Sequence, residues 1–154
     1  MGQTGNLNSR IIESLYCEAL VLSDEVRGAF TLGDAAPPTP ANIEDDARIA
    51  LSCEALRTTT RMMHAVAWLL NHRAFLAGEL SEMQLRRFGR LGEFPGSDPA
   101  RLALIDAATA TLISATERFH ARLLRIDASW RGHAEQTPSA VALLHQRLGM
   151  SARG

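Results

Sequence analysis

The chain has 154 residues, with 16 basic and 17 acidic side chains and a formal charge of −1. That length is one ordinary domain, able to bury a core without disulfides, and the near-neutral balance excludes a global field drawing it to nucleic acid or a membrane surface. Ala and Leu dominate and aromatics make up 5%, a composition that favours helix. Every basic residue is Arg, which a GC-rich genome accounts for. Cys17 and Cys53 form no CxxC and read as reduced thiols. Residues 1–10 contain no apolar run, and Asn6 stands where an N-myristoylation signal has Ser or Thr. The longest apolar run, Ala65 to Leu70, is far too short to cross a bilayer. The expected compartment is the cytoplasm.

Asn8 or Ser9 can cap a first helix, leaving 1–8 as a flexible lead-in. Its core seam is Ile12, Leu15, Ala19, Leu22 and Val26, closed by Ala29 or Phe30, and Gly33 stops it. The Pro-rich GDAAPPTPA that follows suits no regular structure. Thr39 as cap and Pro40 at the first helical position open a second helix. This helix runs to about Ala77, with Gly78 as its terminator.

The second helix is apolar on more than one face. One seam is Ile49, Cys53, Leu56, Thr60, Met63, Ala67, Leu70, Ala74 and Ala77. Another, on the far side, is Leu51, Ala55, Thr58, Met62, Ala65, Leu69 and Leu76. A helix that only covers a core needs one stripe. This one is expected to be sandwiched between its own domain and something else, in a homodimer. Between the seams runs a strip of another character: Glu54, Arg57, Arg61, His64, Trp68, His72 and Phe75. Trp among charged neighbours is a common interface anchor. The other reading is that Trp68 and Phe75 finish the core edge while the arginines snorkel across it. The candidate partner-binding residues are Glu54, Arg57, Arg61, His64, Trp68 and Arg73.

Ser81 and Gln84 fit a capping box and predict a short helix ending near Gly89. After the loop LGEFPGS, Asp98-Pro99 repeats the cap-plus-proline device. It opens a third long helix with the seam Leu102, Ile105, Thr109, Leu112, Thr116, Phe119, Leu123, Ile126 and Trp130. Alternating spacings of three and four are the pattern of near-antiparallel bundle packing. Phe119 and Leu112 are expected to face Leu56, Met63 or Leu70. Gly132 ends this helix, so the bundle domain spans 9–132. In the tail, 133–154, Thr137-Pro138 starts a candidate short helix with Val141, Leu144 and Leu148 on one side. The fold class is therefore all-α: an antiparallel three-helix bundle, up-down-up, with short accessory helices, in a dimer.

No residue is nominated as catalytic, and no cofactor is implied. His64 and His72 lie about 80° apart in projection, not at the i, i+4 spacing of helical zinc sites, and His120, His133 and His145 form no cluster in sequence, so no metal site is expected. Glu54 is spaced to pair with Arg57 or Thr58 on its own helix. No phosphate loop, nucleophile elbow or kinase motif occurs. The alternative to an interaction protein is a nucleic-acid-associated helical regulator using Arg118, Arg122 and Arg125, or Arg86, Arg87 and Arg90. Glu117, Asp127 and Glu93 dilute both basic clusters, so no nucleic-acid partner is expected.

The motif Glu54-Ala55-Leu56-Arg57-x-Thr59-Thr60-Arg61-x-Met63, then Ala67-Trp68-Leu69-Leu70-x-x-Arg73-Ala74, then Gly78-Glu79-Leu80-Ser81, resembles the RcdA family, regulators of CtrA degradation in the bacterial cell cycle. Leu15-Tyr16-x-Glu18-Ala19-Leu20 with Asp24-Glu25-x-Arg27 is similar to that family's opening helix. The resemblance covers about Leu15 to Trp130. It implies a homodimer of three-helix bundles acting without catalysis, as an adaptor for a ClpX-type unfoldase and its protease. The implied partners are a response-regulator adaptor and protein substrates. The tail after Trp130 departs from the family pattern, in which a flexible tail is linked with delivery.

Overall fold

The computed structural model describes residues 2–33 and 43–136, and every described element is helical. The order is α1 (Gly2–Gly33), α2 (Ile43–Leu76), α3 (Glu82–Phe88), α4 (Pro99–Leu102) and α5 (Ala107–Gln136). The Pro-rich link, the Thr39-Pro40 opening and the candidate tail helix lie outside the described residues. The chain divides into two compact units, Met1–Leu124 and Arg125–Gly154. In the second unit, Arg131 Nε donates to Asp127 Oδ2 at 2.9 Å, one turn apart on the same helix.

Local signals account for most boundaries. Gly78 has φ +79°, the left-handed conformation that a residue without Cβ adopts freely. Around it the Ala77 amide donates to the Arg73 carbonyl and the Glu79 amide to Ala74, both at 2.9 Å, which closes the end of α2. Ser81 and Gln84 form the expected capping box at α3, and Asp98 caps α4 ahead of Pro99. Three boundaries differ. α1 begins at Gly2, ahead of Asn8 and Ser9. The third long helix is not continuous from Pro99: α4 is one turn, and α5 restarts at Ala107 under a new cap, with Asp106 Oδ1 accepting from the Thr109 amide at 2.9 Å. α5 also runs past Gly132 to Gln136.

α1 and α2 run antiparallel. Glu13, early in α1, meets Arg73, late in α2, at 2.7 Å, while Val26 and Phe30 line a groove with Thr59 and Met62. The segment after α2 then turns back along it. Asn71 Nδ2 donates to the Phe88 carbonyl at 3.3 Å, Arg61 Nη2 to Pro95 at 3.4 Å, and Arg57 Nη1 to Gly96 at 2.8 Å. The chain has thereby returned to the first half of α2 before α5 starts. Arg61 on α2 meets Thr116 on α5 at 3.1 Å. One turn further along both helices, His64 and His120 approach the same Phe94 ring, at 5.6 and 6.3 Å between centroids. α2 and α5 are therefore parallel, which corrects the expected antiparallel up-down-up order. The connection through α3 and α4 is long enough to carry the chain back, whereas an antiparallel helical hairpin needs only a few residues.

The core is built from Ile12, Leu15, Ala19 and Val26 of α1, Met62, Ala65, Trp68 and Leu69 of α2, and Ile113, Phe119 and Leu123 of α5. On α5 the seam is displaced slightly: Ile113 is fully buried, and Leu112 only partly. Phe119 does not face the expected row, because Leu56 is 72% exposed and Met63 65% exposed. Phe119 is 2% exposed, so Phe119→Ala should destabilise the fold by about 3–5 kcal/mol, as large-to-small changes in cores do. Urea unfolding checks this, and a loss below about 1 kcal/mol would remove Phe119 from the core.

Candidate functional site

The strip on α2 that separates its two apolar seams is divided by the fold. Glu54, Arg61, Trp68 and His72 are interior, at 0, 1, 2 and 7% exposure. Arg57 is half-buried and His64 exposed. Glu54, Arg61 and Trp68 are spaced by seven, and Thr58, Ala65 and His72, also buried, each follow four residues later, so a stripe rich in polar residues is the inward face of α2. The buried members offer no side chain to a partner of the folded chain.

Their partners lie far away in sequence. Arg61 Nη1 donates to Thr116 Oγ1 at 3.1 Å, and its Nη2 reaches the Pro95 carbonyl and Glu117 Oε1, both at 3.4 Å. Glu117 Oε1 also accepts from the Ser97 amide at 2.6 Å. One guanidinium thus ties α2 to α5 and to the returning loop. Burial pulls Arg61 below its ordinary pKa, and the charges of Glu117 and Glu54 oppose that shift. The side chain stays cationic, as guanidinium does throughout the accessible pH range. Glu54 lies 3.6 Å from Arg57 Nη1, and its two oxygens, like Thr58 Oγ1, are buried without a hydrogen bond in the structure.

Further along α2, His72 Nδ1–H donates to the Trp68 carbonyl at 3.0 Å, and the two rings meet tilted by 36° with centroids 4.0 Å apart. Arg73 lies on the α1 side. Its Nε donates to Glu13 at 2.7 Å and its guanidinium sits 4.4 Å over Tyr16. Arg57 and Arg73 therefore clamp the chain's own loop and its own first helix. The arginines of α5 do not form one free basic face. Arg118 and Arg125 are exposed, but Arg122 pairs with Glu18 of α1 and lies over Phe119. Arg86 pairs with Glu82 within α3. Among the described residues, no three His, Cys, Asp or Glu side chains converge on a metal-sized site, and both cysteines are free thiols. No helix among those residues is long and apolar enough to cross a membrane.

The outward surface of α2 is the first of its two apolar seams, the one expected to face Phe119. Ile49, Leu56, Met63 and Leu70 form one row on α2 and are between 43 and 72% exposed. Beside this row a groove of about 770 Å³ opens between α1 and α2, lined by Leu20, Val26, Phe30, Met62 and Val66 as well as Met63. Leu20 on its α1 rim is 47% exposed.

The family model described as "Protein of unknown function (DUF1465)" matches residues 3–151. The chain belongs to this family. No curated protein and no solved structure matches it. The family description carries no activity, so the functional reading rests on the surfaces.

Two predictions follow from the buried seam. Removing the Arg61 side chain takes a charged partner from Thr116 and from the part-buried Glu117, while Glu54 keeps Arg57 at 3.6 Å. Losing hydrogen bonds to a charged group costs about 1.5–3 kcal/mol. Arg61→Ala should lower the denaturation midpoint accordingly and speed amide exchange at Ser97; unchanged exchange there would mean that the loop is held by other contacts. The second concerns acid. Burial, then the charges of Arg61 and His64, hold His120 below its ordinary value of 6.5, and its Nε2 is buried without a partner. The unfolded chain therefore takes up this proton first as pH falls. The contribution is complete above about pH 6.5, declines below it, and levels off beneath the folded-state pKa. His120→Gln should flatten the fall in urea midpoint between about pH 7 and 5; an unaltered slope would assign the acid sensitivity elsewhere.

Proposed function

We propose that this protein is a non-enzymatic adaptor in regulated proteolysis of the ClpXP type, working as a homodimer of three-helix bundles in the bacterial cytoplasm. The observation that carries the reading is the exposed apolar face of α2 with its flanking groove. A chain of this size gains no folding stability from such a face and holds it in order to bind. The motif resemblance to RcdA, centred on α2, supports the choice of proteolysis as the setting. The mechanism is effective concentration: one protein that holds a substrate and a protease-bound partner together makes their encounter intramolecular.

The motif strip and the exposed row are different surfaces of α2. The Glu54, Arg61 and Trp68 positions of the motif keep the bundle together, leaving the surface-accessible His64 as the member of that strip best placed to touch a partner. The test is reconstituted degradation. Addition of the protein to ClpX, ClpP, a response-regulator adaptor and a CtrA-like substrate should accelerate substrate loss. Met63→Glu, which puts a charge into the exposed row, should abolish that acceleration while leaving the circular dichroism spectrum unchanged. Equal degradation with and without the protein would refute the adaptor reading.

A further inference from the structure

The exposed row of α2 is one column of a two-column seam. Large residues stand at Ile49, Leu56, Met63 and Leu70, and small ones at Cys53, Thr60, Ala67 and Ala74. Spacings alternate four and three, the period that lets one helix stay in register with another. The interior residues Glu54, Thr58, Arg61, Ala65 and Trp68 occupy the opposite side, so the seam faces away from the chain's own core. Large and small columns do not pack equally well in every arrangement. In a parallel in-register pair each layer matches a residue with itself, giving crowded Leu–Leu layers between layers of Ala and Thr. In an antiparallel pair each layer joins one column to the other, so every large side chain meets a small one, which is how interdigitating layers fill space.

We propose that a second copy of this chain covers this face, with the two α2 helices antiparallel. The layers are Ile49 against Ala74, Cys53 against Leu70, Leu56 against Ala67 and Thr60 against Met63, each twice by two-fold symmetry. The sequence fits this register along the whole seam, and the two-fold axis passes between Thr60 and Met63. The seam is roughly 38 Å long at 1.5 Å per residue. With the α1 rim it presents a face about 20 Å wide, on the order of the 800 Å² per partner that stable dimers bury. This inference rests on the dimer in the reading above and adds its face, direction and register.

Disulfide trapping tests it. With the exposed Cys17 replaced by Ser, the native Cys53 of the two copies would stand roughly 25 Å apart in the antiparallel pair. Diamide should then produce no crosslinked dimer, whereas Leu70→Cys in the same background should give one through Cys53. Crosslinking of Cys53 with itself would establish a parallel pair and overturn the proposal. A column swap covers the case in which Leu70→Cys weakens association. Ala67→Leu sets two large residues opposite each other and should weaken dimerisation about ten-fold or more. Adding Leu56→Ala should restore it. A dimer by light scattering that is indifferent to both changes would place the interface elsewhere. A monomer at micromolar concentration would remove the dimer itself.

Discussion

The buried guanidinium of Arg61 is the constraint on which the rest of this structure depends. It lies on the inward face of α2 and bonds to a hydroxyl of α5, a carboxylate of α5 and a carbonyl of the returning loop. Aliphatic side chains in a seam can slide past one another by a turn at modest loss. A forked cation with fixed acceptors cannot, because a shift leaves both the cation and its carboxylate desolvated and unpaired. Arg61 thereby fixes the level at which α5 lies along α2. Arg57 extends the same clamp to Gly96, and Glu117 holds the loop from the other side through the Ser97 amide.

The polar interior gives definition more than strength. Glu54 and Thr58 are fully buried and have no hydrogen bond in the structure, and each such group subtracts from stability. Thr116 returns its own hydroxyl proton to the Ile113 carbonyl at 2.7 Å while accepting from Arg61, so that group is satisfied twice. Hydrophobic packing of Ile12, Leu69, Ile113 and Leu123, all fully buried, supplies the driving force that the seam constrains.

Short-range features were legible in the sequence. The capping box at Ser81, the Asp98 cap before Pro99 and the Gly78 stop all involve residues within a turn of one another, and their chemistry is local. The break between α4 and α5 was missed because Ile105 continues an apolar rhythm across it. Asp106 was the available signal: a residue able to cap, three positions before Thr109. The inward face of α2 was misjudged for a different reason. Both sides of this helix are apolar, so periodicity alone does not choose between them, and the partners that make Arg61 an interior residue lie on a helix that follows a long connection. Polar residues in a seam become readable only when those partners are known. The same ambiguity assigned Leu56, Met63 and Leu70 to the side facing Phe119, although one of the two seams had to lie outward. The parallel relation of α2 and α5 likewise followed from the path of residues 77–106, which no periodicity describes.

That parallel relation points the amino-terminal ends of α2 and α5 the same way, with the start of α5 about level with Ser52 by the Arg61–Thr116 contact. Aligned peptide dipoles place a partial positive charge at each such end, and parallel helices do not offset one another's dipoles as antiparallel ones do. The chain supplies acidic residues there: Asp45 and Asp46 in the opening turns of α2, Asp98 at the start of α4 and Asp106 at the start of α5. Hydrogen bonds from Thr109 hold the Asp106 carboxyl below its ordinary pKa, so the negative charge persists into mild acid. In an up-down-up bundle adjacent helix dipoles largely cancel; here carboxylates take over that neutralising role, and these helix ends depend on salt and pH in a way that an antiparallel bundle of the same composition does not.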